Sequence, residues 1–371
     1  MRVKKLSLKN FRNIKELCLE PCETANVICA DNASGKTNLL EAIWLFSGAK
    51  SFRGAKESEF IKKEQEIADI NLLFHAENRE QSATLRYGRE EKYIGLNEIK
   101  QKSMREMLGV FQAVVFSPDH LWIVKHEPKR RRKLIDTALC QIYPKYGKAL
   151  DGYERILRQR AFLLKDVAYN ALLTETLEAF DIQAARYGGY ISHMRFKYVE
   201  SLSRHAGIIY DGLAGGKEIL TISYVPGFSV ADGVPTEKDQ WKNSLLDALY
   251  HSRSEDIRYG NTSKGPHRDD ILIEIGGMSA KSFASQGQQR SCILALKLAE
   301  CELLSAAAEE PPVILLDDVM SELDKNRREY LLNHIVGKQV FITCCDRSAY
   351  EGLGSGVVWN MKDGNLKEGE C

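Results

Sequence analysis

The 371-residue sequence predicts a discontinuous α/β domain interrupted by a mostly helical insertion. Three observations carry that reading. Strand-like patterns occupy both ends of the chain. A long helical pattern runs between them, from Glu127 to about Tyr210. A glycine-bearing loop within "CADNASGKTNLLEA" (29–42) joins an apolar run to an amphipathic helix. Composition is that of an ordinary globular chain, 44% hydrophobic and 28% charged. At roughly 100–200 residues per domain, the length allows two or three domains and an ample core.

Residues 2–9 and 15–20 alternate apolar and polar, as half-buried strands do. "NVICA" (26–30) reads as a short buried strand. After the glycine loop, Leu39, Leu40, Ile43, Trp44 and Leu45 recur at helical spacing, and segments 66–76, 82–87 and 111–116 read as strands. The helical block opens with Pro128, a favoured first-turn residue, and closes in the glycine-rich "DGLAGGKE". A strand at 219–225, a helix around 237–251, a strand at 271–275 and a helix from about 285 to 308 follow. "EEPPVILLDD" introduces another buried strand. A helix (325–336), a strand (339–343) and a short hairpin-like tail complete the chain. There is no internal repeat and no low-complexity segment. The division is therefore 1–116, the first part of the α/β domain; 117–262, the inserted mostly helical domain; and 263–371, the second part.

Net charge is only +1, so any nucleic-acid surface must be a local patch. Nine scattered cysteines, with no C-x-x-C pair, argue against a disulfide framework or a structural zinc site. The opening "MRVKKLSLKNFRN" lacks an apolar signal core, and no run approaches the roughly 18 apolar residues of a membrane span. The expectation is a reduced, soluble, cytoplasmic protein.

The chemistry begins at residues 30–37. Backbone N–H groups of a glycine turn and a helix N-terminus make a concave anion site. Gly35 permits close approach to phosphate, Lys36 supplies a charge for the β- and γ-phosphates, and the Thr37 hydroxyl suits Mg²⁺. Ala30 stands where the P-loop pattern G-x-x-x-x-G-K-[ST] has its first glycine. Its methyl group is tolerable at negative φ and harmful if the turn needs φ > 0. By itself the stretch also reads as a polar loop before an amphipathic helix.

A second piece is "PPVILLDDVMSELD", an apolar strand ending in Asp317 and Asp318. At a strand end both carboxylates can reach a shared metal site, one through Mg²⁺ and one through the attacking water. A turn before a helix also favours acids. The third piece, "FASQGQQRSCILALKLAECELL", puts Ser285, Gly287 and Gln288 at the start of a long helix. Its plainer reading is an N-cap. Its other reading is a second anion site, which a chain already holding a P-loop needs only for the nucleotide of a second copy. Two copies head to tail would then sandwich two ATP molecules, as ATP-binding-cassette ATPases do.

The loop "DNASGKTNLLEAI", the cap "SQGQQR", the strand "LLDDVMSELD" and the opening "LSLKNFRN" together resemble the RecF family of bacterial recombination-mediator ATPases, related to the head domains of SMC proteins. "SPDHLWIVKHEPKRRRKLID" (117–136) and "GPHRDD" (265–270) resemble it too, so the match runs from residue 3 to about 346 in the family's order. The resemblance implies a discontinuous α/β fold, an ABC-type, SMC-like P-loop ATPase head with an inserted helical arm. It implies ATP and Mg²⁺ as cofactors, an ATP-dependent homodimer, and slow DNA-stimulated hydrolysis. Duplex and gapped DNA near single-strand junctions would be the substrate, and RecO and RecR partners in loading the recombinase for repair and replication restart.

Carried over residue by residue, Ala30, Asp31, Asn32, Ala33, Ser34, Gly35, Lys36 and Thr37 would cradle the phosphates. Thr37 and Asp317 would hold Mg²⁺, and Asp318 would polarise the water. Ser285, Gly287 and Gln288 would touch the γ-phosphate of the other subunit. Ser321 and Asp324 match the loop that crosses the dimer interface, and Arg12 and Asn13 the residues that approach the nucleotide after the first strand. Three features depart from the pattern. Ala30 replaces a glycine, and Asp318 is one methylene shorter than the usual glutamate, in keeping with slow turnover. "FITCCD" lacks a switch histidine, for which Asp346 or Thr343 would stand in, and Gln112 sits too early in its strand for a Q-loop glutamine.

For DNA, "KRRRK" packs Lys129, Arg130, Arg131, Arg132 and Lys133 into little more than one helical turn. Phosphate contact and a solvated helix face are both open to it. Arg155, Arg158, Arg160, Lys4, Lys5 and Lys9 would extend a track. Aromatics are not interleaved with these charges, which favours duplex backbone over stacked single strand. Lys264, His267 and Arg268 are open between DNA, the γ-phosphate and local structure. Arg53 is a candidate arginine finger or DNA contact, beside its reading as a plain surface residue. Two other classes compete: the ATPase subunit of a transporter, and a nucleotide-sensing scaffold that does not hydrolyse.

Overall fold

The computed structural model describes residues 1–31, 34–89, 91–167, 169–230, 235–345, 356–362 and 364–369. Its elements run β1 (Arg2–Phe11), β2 (Ile14–Leu19), β3 (Ala25–Cys29), α1 (Lys36–Leu45), β4 (Ile67–Ala76), β5 (Arg79–Gly88), β6 (Lys92–Leu96), β7 (Ile99–Lys100) and β8 (Ala113–Phe116). Next come α2 (Trp122–Lys125), α3 (Pro128–Ile142), α4 (Pro144–Val167), α5 (Thr174–Ala214), β9 (Leu220–Val225), α6 (Lys238–Tyr259), β10 (Asp270–Ile275), β11 (Met278–Ser279) and α7 (Ala280–Phe283). The chain continues through α8 (Gln286–Ala308), β12 (Val313–Asp317), α9 (Lys325–Ile335), β13 (Val340–Cys344), β14 (Gly356–Lys362) and β15 (Asn365–Gly369).

Two compact units divide these elements. The first comprises Met1–Leu121, Ile208–Glu218 and Ser285–Cys371, and the second Trp122–Gly207 and Ile219–Ala284. In the first unit, an antiparallel sheet of order β2-β1-β4-β5-β6-β7 accompanies a second sheet of order β15-β14-β3-β13-β12-β8. In the second sheet β14, β3, β13, β12 and β8 are parallel, and β15 closes the edge antiparallel. Every residue of β3, β12 and β13 is buried, the condition of parallel strands covered on both faces. This is why these strands read as unbroken apolar runs. Helix α1 is buried nearly all round, and Leu39, Leu40 and Ile43 share one core with Leu6 of β1, Leu315 of β12 and Phe341 of β13. A helix apolar on all sides belongs inside a domain.

The second unit holds α3, α4, α6 and a three-stranded antiparallel sheet of order β11-β10-β9. Ion pairs and hydrogen bonds organise much of its interior. Fully buried Arg160 donates to Asp181 at 2.7 Å, Asp256 at 2.7 Å and Thr262 at 2.8 Å. Arg195 likewise grips Asp136 and Asp269.

Most elements fall within a residue or two of expectation, and the differences have local causes. The helical block breaks before Pro144, whose ring disfavours helix at the preceding residue. Helix α6 runs on to Tyr259, where Gly260 at φ 65° caps it. Strands β6 and β7 were not anticipated, being short pieces around a turn at Asn97 and Glu98. Strand β10 groups with the second unit because it pairs with β9 and β11, so the unit border falls at 284/285 where the sequence division put 262/263.

Candidate functional site

Because β3, β8, β12 and β13 are parallel, their carboxyl ends share one edge of the sheet, the edge where open α/β sheets bind ligands. The glycine loop leaves β3 at this edge and enters α1. Gly35 has φ 106°, and a Cβ there would lie 2.7 Å from Asn13 Oδ1. Conformation and space both demand glycine. Ala30 is not in the left-handed region, so its methyl group is accommodated, and its N–H donates to the Cys344 carbonyl at 3.2 Å. Ser34 Oγ donates to the Asp31 carbonyl at 2.7 Å, and Asn13 Nδ2 donates to the Ser34 carbonyl at 3.2 Å. Asn32 and Ala33 lie outside the described residues, as does Asp346.

Lys36 is 4% exposed. Its Nζ donates to the Ala30 carbonyl at 2.5 Å and to Cys345 Sγ at 2.9 Å, with Asp318 Oδ1 at 4.0 Å. Thr37 Oγ1 donates to Asp317 Oδ1 at 2.8 Å. A hydroxyl and a carboxylate side by side are hard oxygen donors of the kind Mg²⁺ takes alongside water and phosphate, so these two residues fit that ion. Burial pushes the Asp317 carboxyl above its usual range, Thr37 draws it back, and the charge of Asp318 adds to the push.

Thr343 emerges as the organiser of the acidic pair. Register places it directly beside Asp317 in the parallel ladder. Its Oγ1 lies 3.1 Å from Asp317 Oδ1 and accepts the Asp318 backbone N–H at 2.9 Å. Asp318 needs that support, since its φ is 52°, a left-handed backbone that aspartate tolerates better than most residues. Ser321 Oγ closes the turn on the Asp318 carbonyl at 2.9 Å. Gln112 precedes β8 at the opposite end from this edge, buried, with its N–H on Met1 Sδ at 3.0 Å and its carbonyl on Val313 N.

The cap of α8 has the expected form. Ser285 Oγ accepts from Gln288 N at 3.3 Å while Gln288 Oε1 accepts from Ser285 N at 2.7 Å, a reciprocal capping box. A residue missed in the sequence completes it. Glu218, hidden in the glycine-rich stretch after α5, accepts Gln288 Nε2 at 2.7 Å and the Tyr210 hydroxyl at 3.0 Å. Gly287 faces Arg327, whose Nη2 would lie 3.3 Å from an added Cβ. Asp324 caps α9 by accepting Arg327 N at 3.0 Å.

Arg12 commits Nε and Nη2 to fully buried Glu41 at 2.9 and 3.1 Å, and lies over the Phe60 ring. Arg53 donates to Asn38 Oδ1 at 2.9 Å, and Asn38 in turn donates to Asn13 Oδ1 at 2.8 Å. Asn38 is a second residue missed in the sequence; it sits one position beyond the P-loop pattern and only its contacts reveal it.

The basic cluster divides. Arg131 is buried, with a two-pronged bond to Asp270 at 2.6 and 2.8 Å and a third to the His126 carbonyl, so its guanidinium is committed to holding β10. Half-buried Arg132 donates to the Asp269 carbonyl at 2.5 Å. Arg160 leaves the track for the reason given above, while Lys129, Arg130, Lys133, Arg155 and Arg158 are exposed. Lys4 and Lys5 pair with Glu23 and Glu20. His267 serves the local fold: its Nδ1 meets the Tyr153 hydroxyl at 2.9 Å, its Nε2 meets the Thr262 carbonyl at 2.9 Å, and burial lowers its pKa to about 4.

Among the described residues, no helix is long and apolar enough to cross a membrane. The family described as RecF/RecN/SMC N terminal domain matches residues 2–365. The DNA replication and repair protein RecF of Acetivibrio thermocellus is 37% identical over 96% of this chain and 96% of its own. A solved structure described as the recombination mediator protein RecF-ATPrS in the RecFOR pathway is 38% identical, with a TM-score of 0.91 over 99% of this chain and 97% of that one. The Smc head domain of Pyrococcus furiosus, 17% identical with a TM-score of 0.56 over 99% and 96% of the two chains, shares the fold.

Proposed function

The chain belongs to the RecF family, with an ABC-type, SMC-like head fold, and from that premise we propose that it is an ATP-gated DNA-binding protein of recombinational repair and replication restart. The observation that carries the reading is the meeting of Lys36, Thr37, Asp317 and Asp318 at one sheet edge, with Thr343 holding the acidic pair.

In this reading the backbone of residues 30–37 and the N-terminus of α1 receive the β- and γ-phosphates, and Lys36 turns from the Ala30 carbonyl to meet them. Thr37 and Asp317 would hold Mg²⁺, which neutralises phosphate charge when bound. Asp318, half-buried at the mouth, accepts a proton from water aimed at the γ-phosphate, and its short arm suits slow turnover. Asn13 fixes the loop from the side. The competing scaffold reading rests on Ala30 and the short Asp318, and Ala30 carries no left-handed backbone strain.

The cap of α8 completes the pocket of a second copy. Ser285, Gly287 and Gln288 would face the γ-phosphate bound by the partner, with Ser321 and Asp324 at the interface, so ATP joins two heads and hydrolysis parts them. The joined pair would grip duplex or gapped DNA through Lys129, Arg130 and Lys133, and RecO and RecR would be its partners in loading the recombinase.

The test is sedimentation of Asp318→Asn with and without Mg-ATP and a gapped duplex, alongside Lys36→Ala. ATP should drive dimerisation and DNA binding in the first variant and neither in the second. A strictly monomeric Asp318→Asn protein at saturating Mg-ATP, or full ATP-dependent DNA binding by Lys36→Ala, would refute the reading.

A further inference from the structure

Three thiols gather where the loop leaves the parallel sheet. Cys29 is the last residue of β3, and Cys344 is its direct register partner on β13, with their sulfurs 3.2 Å apart and both buried. Cys345 follows at the exposed rim, where its sulfur receives the Lys36 Nζ hydrogen bond at 2.9 Å. The loop lysine, itself 4% exposed, therefore rests between a backbone carbonyl and an accessible thiol.

We propose that Cys345 is a site of oxidative modification, at which hydrogen peroxide makes a sulfenic acid that condenses with the Lys36 amine and closes the nucleotide site. The proposal rests on the reading of Lys36 as the phosphate-binding lysine. In the first step Cys345 Sγ attacks a peroxide oxygen. The O–O bond breaks, an S–O bond forms and water leaves, the sulfur losing two electrons to the peroxide. In the second, the Lys36 nitrogen gives its extra proton to solvent and attacks Sγ. An N–S bond forms, the S–O bond breaks and a second water leaves. One peroxide yields two waters, and the protein loses two hydrogens. Two equivalents of a small thiol reverse the bond, returning thiol and amine and forming one external disulfide.

Geometry selects this pair over its neighbours. The two groups already touch, so no strand has to move. Cys345 is open to solvent, whereas Cys29 and Cys344 are buried, and their mutual hydrogen bond together with burial pushes the Cys344 thiol up, away from the reactive thiolate. The consequence is specific. A sulfur-bound lysine has lost its ammonium charge and cannot swing to a phosphate.

The full-length reduced protein is treated with hydrogen peroxide, digested with trypsin under non-reducing conditions and analysed by mass spectrometry, with ATP affinity measured before and after. The expected product is a peptide uncleaved at Lys36, joined to the peptide that carries Cys344 and Cys345, and lighter by two hydrogens. ATP affinity should fall by about tenfold or more and return with dithiothreitol. Cys345→Ser should bind ATP before treatment, form no cross-link and keep its affinity, while Cys29→Ser should still cross-link. A link between Cys29 and Cys344 in its place, unchanged affinity in the oxidised wild type, or equal loss in Cys345→Ser would each overturn the proposal. Failure of the untreated protein to bind ATP would instead overturn the nucleotide reading, with the peptide map still deciding the chemistry at Cys345.

Discussion

Thr343 Oγ1 accepts the backbone N–H of Asp318 at 2.9 Å, and this single bond ties the strand β13 to the turn that presents the Asp318 carboxylate. The same oxygen stands 3.1 Å from Asp317 Oδ1, so one hydroxyl serves both acids. Thr343→Val keeps the shape and deletes the hydroxyl, leaving a buried carboxylate and an amide each short of a partner. Such a loss is worth about 1–3 kcal/mol. ATP turnover should fall by roughly 10- to 100-fold with ATP affinity little changed. Thr343→Ser should restore most of it. A phosphate-release assay beside equilibrium nucleotide binding measures the two effects separately.

Glu218 holds Gln288 in the α8 cap through a charge-assisted bond at 2.7 Å. Removing the carboxylate in Glu218→Ala frees the Gln288 amide, which under the proposed function would face the partner's nucleotide. A bond to a charged group contributes about 1.5–3 kcal/mol, so ATP-dependent self-association should weaken by about tenfold or more. Affinity of the monomer for ATP should be unchanged. Sedimentation against protein concentration gives the first quantity, and titration of the nucleotide under monomeric conditions gives the second.

The arginines of the second unit divide into two kinds. Arg160→Met leaves Asp181 and Asp256 buried without their shared cation, and should destabilise by roughly 3–5 kcal/mol in urea unfolding. Exposed Lys129 and Arg130 should behave in the opposite way. Their double alanine variant should keep its stability and lose DNA affinity, with the slope of log affinity against log salt shallower by about 0.9 for each phosphate contact removed. Equal salt slopes in wild type and variant would remove these residues from the DNA surface.

His267 gives the fold a pH dependence with a defined sign. Its folded pKa is lowered to about 4, first by burial, with Arg268 and Arg132 adding to the effect and Thr262 opposing it. The unfolded chain binds the proton with a pKa near 6.5, so between about 6.5 and 4 the unfolded state carries more protons. The contribution is therefore complete above pH 6.5 and is lost as pH falls towards 4, up to roughly 3 kcal/mol. Urea unfolding at a series of pH values should show stability declining across this window. His267→Gln, whose amide can still donate to the Thr262 carbonyl, should flatten the decline.

Much of this was legible in the order of residues, and for a consistent reason. The buried strands β3, β12 and β13 and the cap at Ser285 are local features, set by side-chain period and by groups a few positions apart. Gly35 declared itself because no other residue takes its φ in that space. The glycine loop, the "DD" strand end and the serine-glycine cap therefore point to the same nucleotide chemistry from the order of residues alone.

What escaped the sequence depends on register between segments far apart in the chain. Arg131 and Arg130 are neighbours of one charge, yet one is locked onto Asp270 and the other faces solvent, since a helix turns successive residues to different sides. Thr343 meets Asp317, and Cys345 meets Lys36, only because parallel pairing of β3, β13 and β12 brings their carboxyl ends to one edge. The chain's own order thus determined the elements and the kind of ligand. Tertiary pairing alone decided which hydroxyl, thiol and arginine do the holding, because contact across strands follows from alignment and not from the identity of any residue taken singly.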